Sequence, residues 1–358
     1  MPSLRSSVGC ALVAFVAAAQ TTSAQHGRIV TDTLPSASLA NLLGAPTKTR
    51  VTIYLPPGYD ASPRARFPVI YLLHGFGATE YMWTRAQPRG IDVAGVMDSL
   101  IAAHASREMI LVMANATDPF GGSFYTNSTT TGNWDDFIAH DLVAYVDGKY
   151  RTLAKAESRG LAGHSMGGYG TLYLGALHGG TTYGAIYAMS ACCTGRGSFD
   201  PARDVALWDT VTSFTSIEAV GRSKWFAPRV TVAIAAAFAP DSSRPPLFFT
   251  PPLERDGQVW KRNAGVVAKW DAHSPVLMIP GHRDNLLHMR AIQFDIGLQD
   301  ELVPPRDIAA LDSAFTRAGI PHTFESYAGS HTDHVHDRFA TRVVPFFSHA
   351  LVFEAAKQ

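Results

Sequence analysis

Val51, Ile53 and Leu55 alternate along the chain until Pro56-Pro57-Gly58 halts them, a spacing that predicts a strand. Residues 67–73 (FPVIYLL) form instead an unbroken apolar run, the pattern of a strand buried on both faces. Similar runs recur at 109–113, 185–189 and 292–298. Between the runs the period changes. Trp134, Ile138, Leu142 and Tyr145 recur at spacings of three and four, which gives one helical face able to dock on a sheet. Ile308, Leu311, Phe315 and Ala318 repeat that spacing, and Gly319 with Pro321 supplies the stop. Strands alternating with helices imply a mostly parallel sheet covered on both faces, an α/β architecture.

Two stretches depart from this rhythm. Residues 25–49 are polar with little periodicity and read as a lead-in to a domain spanning 50–358. Residues 196–274 hold four of the six tryptophans (Trp208, Trp225, Trp260, Trp270), the pair Phe248-Phe249, and the pairs Pro245-Pro246 and Pro251-Pro252. They are expected to form a cap-like insertion over the C-terminal edge of the sheet, with Phe248 and Phe249 in the wall of a substrate pocket. The prolines favour extended segments there.

Composition narrows the functional classes. With 46% hydrophobic and 17% charged residues among 358, a sizeable core is possible. Lys plus Arg and Asp plus Glu both total 30, so nothing points to nucleic acid or to an anionic membrane surface. A small or neutral molecule is the expected partner. Arg5, an apolar run at 8–19 and Thr22-Ser23-Ala24 describe a secretory signal peptide over 1–24, too short in its apolar core to span a bilayer. The mature chain should begin near Gln25, secreted or periplasmic. Cys192 and Cys193 then remain, and they are adjacent. Neighbouring Cα atoms lie ~3.8 Å apart, below the usual disulfide range, so the pair reads as free thiols or as a strained vicinal disulfide.

Chemistry enters at Gly163-His164-Ser165-Met166-Gly167-Gly168, which fits G-x-S-x-G. Residues 159–162 can form a strand before it and 166–177 a helix after it, the setting in which such a serine stands exposed on a sharp turn. The helix N-terminus behind Ser165 favours negative charge. A second element, Leu73-His74-Gly75-Phe76-Gly77, directly follows a buried strand. Acyl transfer needs two backbone N–H donors aimed at the developing oxyanion; Phe76 and Met166 are the candidates. His74 is expected to orient this turn and border the substrate.

An acid and a base should follow in the order Ser, Asp/Glu, His. Asp300 lies just beyond the strand at 292–298, at the sheet edge where such sites gather; Asp295 and Asp284 are the alternatives. His331, one helix–strand unit later, would take the Ser165 proton while Asp300 fixes its tautomer. His334 and His336 follow closely and leave the base open. The run 331–336 also has metal-ligand spacing, but an H-x-H-x-D-H motif would need His where Gly329 stands. No metal or organic cofactor is expected.

On these pieces the chain resembles the Putative esterase family of the α/β hydrolases, which includes S-formylglutathione hydrolases, feruloyl esterases, siderophore esterases and mycolyltransferases. The resemblance rests on LPPGY (55–59), FPVIYLLHGFG (67–77), residues 123–152, GLAGHSMGGYG (160–170), IGLQDELVP (296–304) and YAGSHTDHVHDRF (327–339). It implies an α/β-hydrolase fold, a Ser165–Asp300–His331 triad, Phe76 and Met166 amides as oxyanion hole, and a pocket bordered by Asn133 and Trp134. It also implies a carboxylic-ester hydrolase acting on a small-molecule or polymeric ester. An acyltransferase would use the same residues and differ in what resolves the acyl-enzyme. A non-catalytic binding protein or a metallohydrolase is the remaining rival. The length of the 196–274 insertion and the Cys192-Cys193 pair stand outside the resemblance.

Overall fold

The apolar run near residue 70 becomes the centre of an eight-stranded sheet. The computed structural model describes residues 26–354 apart from 89, 196–199, 201 and 203, so the expected signal peptide lies outside the described residues. The strands are β1 (Arg28–Pro35), β2 (Lys48–Leu55), β3 (Val69–Leu73), β4 (Ile110–Ala114), β5 (Arg159–His164), β6 (Ala185–Met189), β7 (Ala291–Gly297) and β8 (Thr323–Tyr327). Their spatial order is β1-β2-β4-β3-β5-β6-β7-β8. β1 and β2 are antiparallel to their neighbours, and β4 through β8 run parallel. The chain therefore turns from β3 to β4 on one side and returns to β5 on the other. That reversal opens a crevice at the carboxyl ends of β3 and β5, where ligands gather in open α/β sheets.

Both faces of the central strands are covered. Val69, Tyr71 and Leu73 of β3 join one core, and Ile70 and Leu72 join the other. The principal helices are α1 (Val93–Ala102), α2 (Leu142–Lys149), α3 (Met166–His178), α4 (Val205–Thr212), α5 (Ile217–Arg222), α6 (Phe226–Phe238), α7 (Ala264–Ala272), α8 (Pro275–Leu287), α9 (Pro305–Arg317) and α10 (Val344–Ala350). α1 and α10 flank the core of Ile70 and Leu72. α9 buries Ile308, Leu311 and Phe315 as the spacing predicts, and Gly319 ends it with φ 64°.

Two readings need correction. The lead-in is not featureless, because residues 28–35 pair with all of β2 and extend the sheet. The helical face at 134–145 shifts by one residue, because a π-turn at Phe137–Asp141 inserts an extra position. Val146, not Tyr145, completes the buried stripe. The 196–274 region also differs from expectation: its described part is largely helical, with α4 to α7 and one hairpin pairing Leu253–Asp256 with Val259–Arg262. Pro228 falls in the first turn of α6, where a missing N–H costs nothing.

Candidate active site

Ser165 stands between β5 and α3 with φ 60° and ψ −117°. A residue bearing a side chain keeps such a conformation only where its surroundings impose it, at a cost on the order of 1–3 kcal/mol. Backbone hydrogen bonds impose it here. Ser165 N–H donates to Met189 O at 3.0 Å, and Ser165 O accepts from Tyr169 N–H at 2.9 Å and from Cys192 N–H at 3.3 Å. The flanking glycines are required by space. A Cβ on Gly163 would collide with the Gly167 carbonyl, and one on Gly167 with the Leu73 carbonyl at the end of β3.

Asp300 and His331 come from the loops after β7 and β8. Asp300 Oδ1 accepts from the N–H groups of Leu302 and Val303 at 3.0 and 2.7 Å. Its Oδ2 accepts from His331 Nδ1 at 2.8 Å. Burial pushes the Asp300 carboxyl upward, but the hydrogen bonds from His331, Val303 and Leu302 outweigh it and hold the group below its ordinary range. A carboxylate only accepts, so Nδ1 carries the proton and Nε2 keeps its lone pair. The backbone around His331 is tied down at each step. Gly329 N–H donates to Gln299 Oε1 at 2.7 Å, Ser330 N–H to Asp333 Oδ1 at 2.9 Å, and His331 N–H to Glu301 Oε2 at 3.1 Å.

His164, the variable position of the serine motif, links this loop to the elbow. Its Nε2 donates to the His331 carbonyl at 2.8 Å, and the two rings lie 4.7 Å apart. Burial and the nearby His331 push His164 down to about 4, so it remains a neutral donor near pH 7. Nothing in the sequence distinguished this role from that of a spacer.

The Phe76 turn and the start of α3 face each other across the crevice, because Leu73 of β3 pairs with Gly163 of β5. Met166 is the first helical residue, so its amide has no acceptor within the helix. His74 does not border a substrate. Its ring is fully buried, with Nδ1 donating to Gly75 O and Nε2 accepting from Ala116 N–H, each at 2.9 Å. Burial pushes it down to about 4. It fixes the backbone that carries Phe76.

Beside Ser165 opens a mostly apolar cavity of about 130 Å³. Phe76, Phe124 and Met166 form one side, Leu302, Val303, Pro304 and Asp307 another, and Phe226, Val230 and Ile234 of α6 a third. Cys192 and Cys193 complete it next to the serine. The α6 residues recur every four positions, a helical stripe visible in the sequence but obscured by the surrounding prolines.

Other expected wall residues lie elsewhere. Phe249 is buried against Trp208 at 6.4 Å, and the Phe248 carbonyl accepts from Thr130 Oγ1 at 2.6 Å. Trp134 is buried, with Nε1 donating to Thr131 O at 2.8 Å, while Asn133 pairs with Asn127 in a two-residue ladder. These four residues hold the scaffold and do not line the cavity. Asp295 is buried within β7, bonded to Tyr187 and Arg338 at 2.7 Å, and burial pushes it up to about 6. Asp284 is exposed on α8. His336 Nδ1 donates to Ile91 O at 2.8 Å, and His334 lies partly exposed near Asp333 and Asp337.

About nine-tenths of the chain superposes on known esterase structures of the α/β-hydrolase fold. A ferulic acid esterase aligns with a TM-score of 0.61 over 91% of this chain and 99% of its own, at 23% identity. An S-formylglutathione hydrolase of Staphylococcus aureus aligns with a TM-score of 0.58 over 90% and 99%, at 16% identity. In sequence, an esterase of Mycobacterium tuberculosis is 32% identical over 136 residues, which is 36% of this chain and 26% of that protein. The endo-1,4-beta-xylanase/feruloyl esterase of Xylanibacter ruminicola is 32% identical over 172 residues, 44% of this chain and 22% of that protein. The matched stretches thus span about a quarter of these curated relatives. A family model described as Putative esterase matches residues 44–357, and the chain belongs to that family.

Proposed function

We propose that this protein is an exported serine carboxylic-ester hydrolase that works through an acyl-enzyme on Ser165. The observation that carries the reading is the 2.8 Å bond from His331 Nδ1 to Asp300, which directs the basic Nε2 away from the acid, in a site whose serine is held strained. In this reading Nε2 takes the Ser165 proton as Oγ attacks the ester carbonyl, and Asp300 stabilises the imidazolium. The amides of Phe76 and Met166 and the N-terminus of α3 receive the oxyanion. His331 then protonates the departing alcohol and activates the water that releases the acid.

The cavity sets the acyl group. A dry cavity of ~150 Å³ accommodates benzene, so about 130 Å³ suits a compact apolar acyl group of comparable size. The Arg5-to-Ala24 pattern supports export, and the mature N-terminus should lie near Gln25.

An ester panel on the purified mature protein, from acetyl to long acyl and aromatic, tests the reading together with a fluorophosphonate probe. Wild type should hydrolyse compact apolar acyl esters and take one label, and Ser165→Ala should lose both. Label that persists on the variant, or ester turnover that survives in it, would remove Ser165 from the role. A mature N-terminus upstream of the small-residue motif would remove export by signal cleavage.

A further inference from the structure

Successive side chains of an extended chain point to opposite sides, so two adjacent cysteines ordinarily face apart. Cys193 breaks that rule. Its φ of 58° lies in the left-handed region, and the two sulfurs come together at 3.1 Å, with the Cys193 thiol donating to Cys192 Sγ. The segment is clamped on both sides. Cys192 N–H donates to Ser165 O at 3.3 Å, and Thr194 O accepts from Val276 N–H at 2.8 Å and Ser274 Oγ at 2.9 Å. Both cysteines line the cavity beside Ser165. The acyl-transfer chemistry above has no use for a thiol, and left-handed backbone at a residue with a side chain is a cost that persists only where the fold imposes it.

We propose that Cys192 and Cys193 form a thiol–disulfide site in the wall of the acyl cavity, oxidised reversibly by small-molecule disulfides and altering which acyl groups the cavity accepts. The donated hydrogen bond makes Cys192 the attacking sulfur. Its thiolate, having lost a proton to solvent, displaces one thiolate from the oxidant and forms a mixed disulfide. Cys193, deprotonated in turn, attacks the Cys192 sulfur and expels the second thiolate. Two S–H bonds and the oxidant's S–S bond are broken, one protein S–S bond and two small-molecule thiols are formed, and the two electrons reside in those thiols. Neighbouring Cα atoms lie ~3.8 Å apart, below the usual disulfide span, so the ring is strained and a dithiol should reopen it readily. Closing the ring moves the side chains of two residues that line the cavity, one of them the residue whose amide holds the Ser165 carbonyl.

The effect on acyl choice rests on the hydrolase reading; the thiol chemistry does not, and the two are read separately. Mature protein is incubated with excess oxidised glutathione, then examined by intact mass, thiol alkylation and peptide mapping, and assayed on acetyl and bulkier apolar esters. Expected are a mass lower by two hydrogens, loss of both alkylation sites, and recovery of both with dithiothreitol. Cys193→Ser should instead stop at a single glutathione adduct on Cys192, whereas Cys192→Ser, which lacks the attacking sulfur, should take up glutathione far more slowly. Resistance of both thiols, two separate adducts on wild type, or disulfide-linked dimers would overturn the site. The rate ratio between bulky and acetyl esters should change by at least about tenfold on oxidation, the scale of one methylene in an apolar pocket, and revert on reduction. A closed disulfide with an unchanged ratio would overturn the link to the cavity. Absence of any ester turnover in reduced and oxidised protein alike would fault the hydrolase reading, with the mass result still deciding the thiol site.

Discussion

The two sides of the cavity are built by different physics. On the sheet side, Ser165, Phe76, Asp300 and His331 are placed by backbone: paired strands, glycines where a Cβ would collide, and amides donating to side chains. On the α6 side, Phe226, Val230 and Ile234 are placed by a helix that packs against the rest of the insertion through Phe238 and Trp270. Backbone placement tolerates little change, because each hydrogen bond has one geometry. A packed helix can exchange side chains of similar volume at small cost. Such a molecule can keep one chemistry while changing what fits beside it.

The largest effect should come from breaking the backbone-placed side. His331→Ala is expected to reduce ester turnover by about 10⁶, and the Ser165→Ala, His331→Ala double variant should be scarcely slower, since members of a triad act as a unit. Circular dichroism should show both folded. A roughly multiplicative loss in the double variant would mean that the two residues act independently.

The insertion should respond through stability. Phe249 is buried against Trp208, away from the cavity, so Phe249→Ala should cost about 3–5 kcal/mol in denaturant unfolding. Rates on different acyl esters should fall by the same factor, if at all. A changed acyl preference with full stability would restore Phe249 to the pocket wall.

How much of this was legible in the sequence follows the same division. The residues of the proposed triad could be singled out because their backbone demands leave marks: glycine at 163, 167 and 168, a polar residue just past an apolar run at 300, and histidine in the loop one unit later. The wall was read wrongly. Phe248-Phe249 is conspicuous in sequence, yet its neighbours in space are Trp208 and Thr130, contacts between distant segments that no local pattern encodes. Residues 28–35 were missed for a related reason. An edge strand needs only one partner and little hydrophobic periodicity, and β2 supplies the partner. His164 could not be distinguished, since its function lies in a bond to a loop 167 residues away.

Asp118 gives a smaller test of the sheet side. Its Oδ1 accepts from the Phe120 and Gly122 amides at 2.9 Å, in the loop whose Gly121 carbonyl holds the Phe76 turn through Gly77 N–H. Burial pushes the carboxyl up to about 6 despite those amides. With its pKa raised on folding, its contribution is complete below the unfolded value near 3.8 and is lost as pH rises through about 6. The stability advantage of wild type over Asp118→Asn should therefore shrink by up to about 3 kcal/mol between pH 4 and pH 7. Urea unfolding of both proteins at several pH values measures it. A difference that grows with pH would mean that the carboxylate is stabilised there as an anion.

The smallest expected effect is the most diagnostic of the two-sided construction. Phe226 opens α6, is 49% exposed, and meets Phe76 edge to face at 5.8 Å across the mouth of the cavity. Removing a half-exposed ring at a helix end leaves little void, so Phe226→Ala should change stability far less than Phe249→Ala, although Phe249 lies in the same insertion. It does remove the apolar contact that closes the cavity over a compact acyl group. Compact esters should lose transition-state contact, larger ones should gain room, and the ratio of their kcat/KM values should shift by about tenfold toward the larger. The fluorophosphonate label at Ser165 should form at nearly the wild-type rate, because the elbow and the Asp300–His331 pair are held by the sheet side. If Phe226→Ala slows the labelling as much as the ester turnover, the two sides are not separable and α6 helps to position the serine itself.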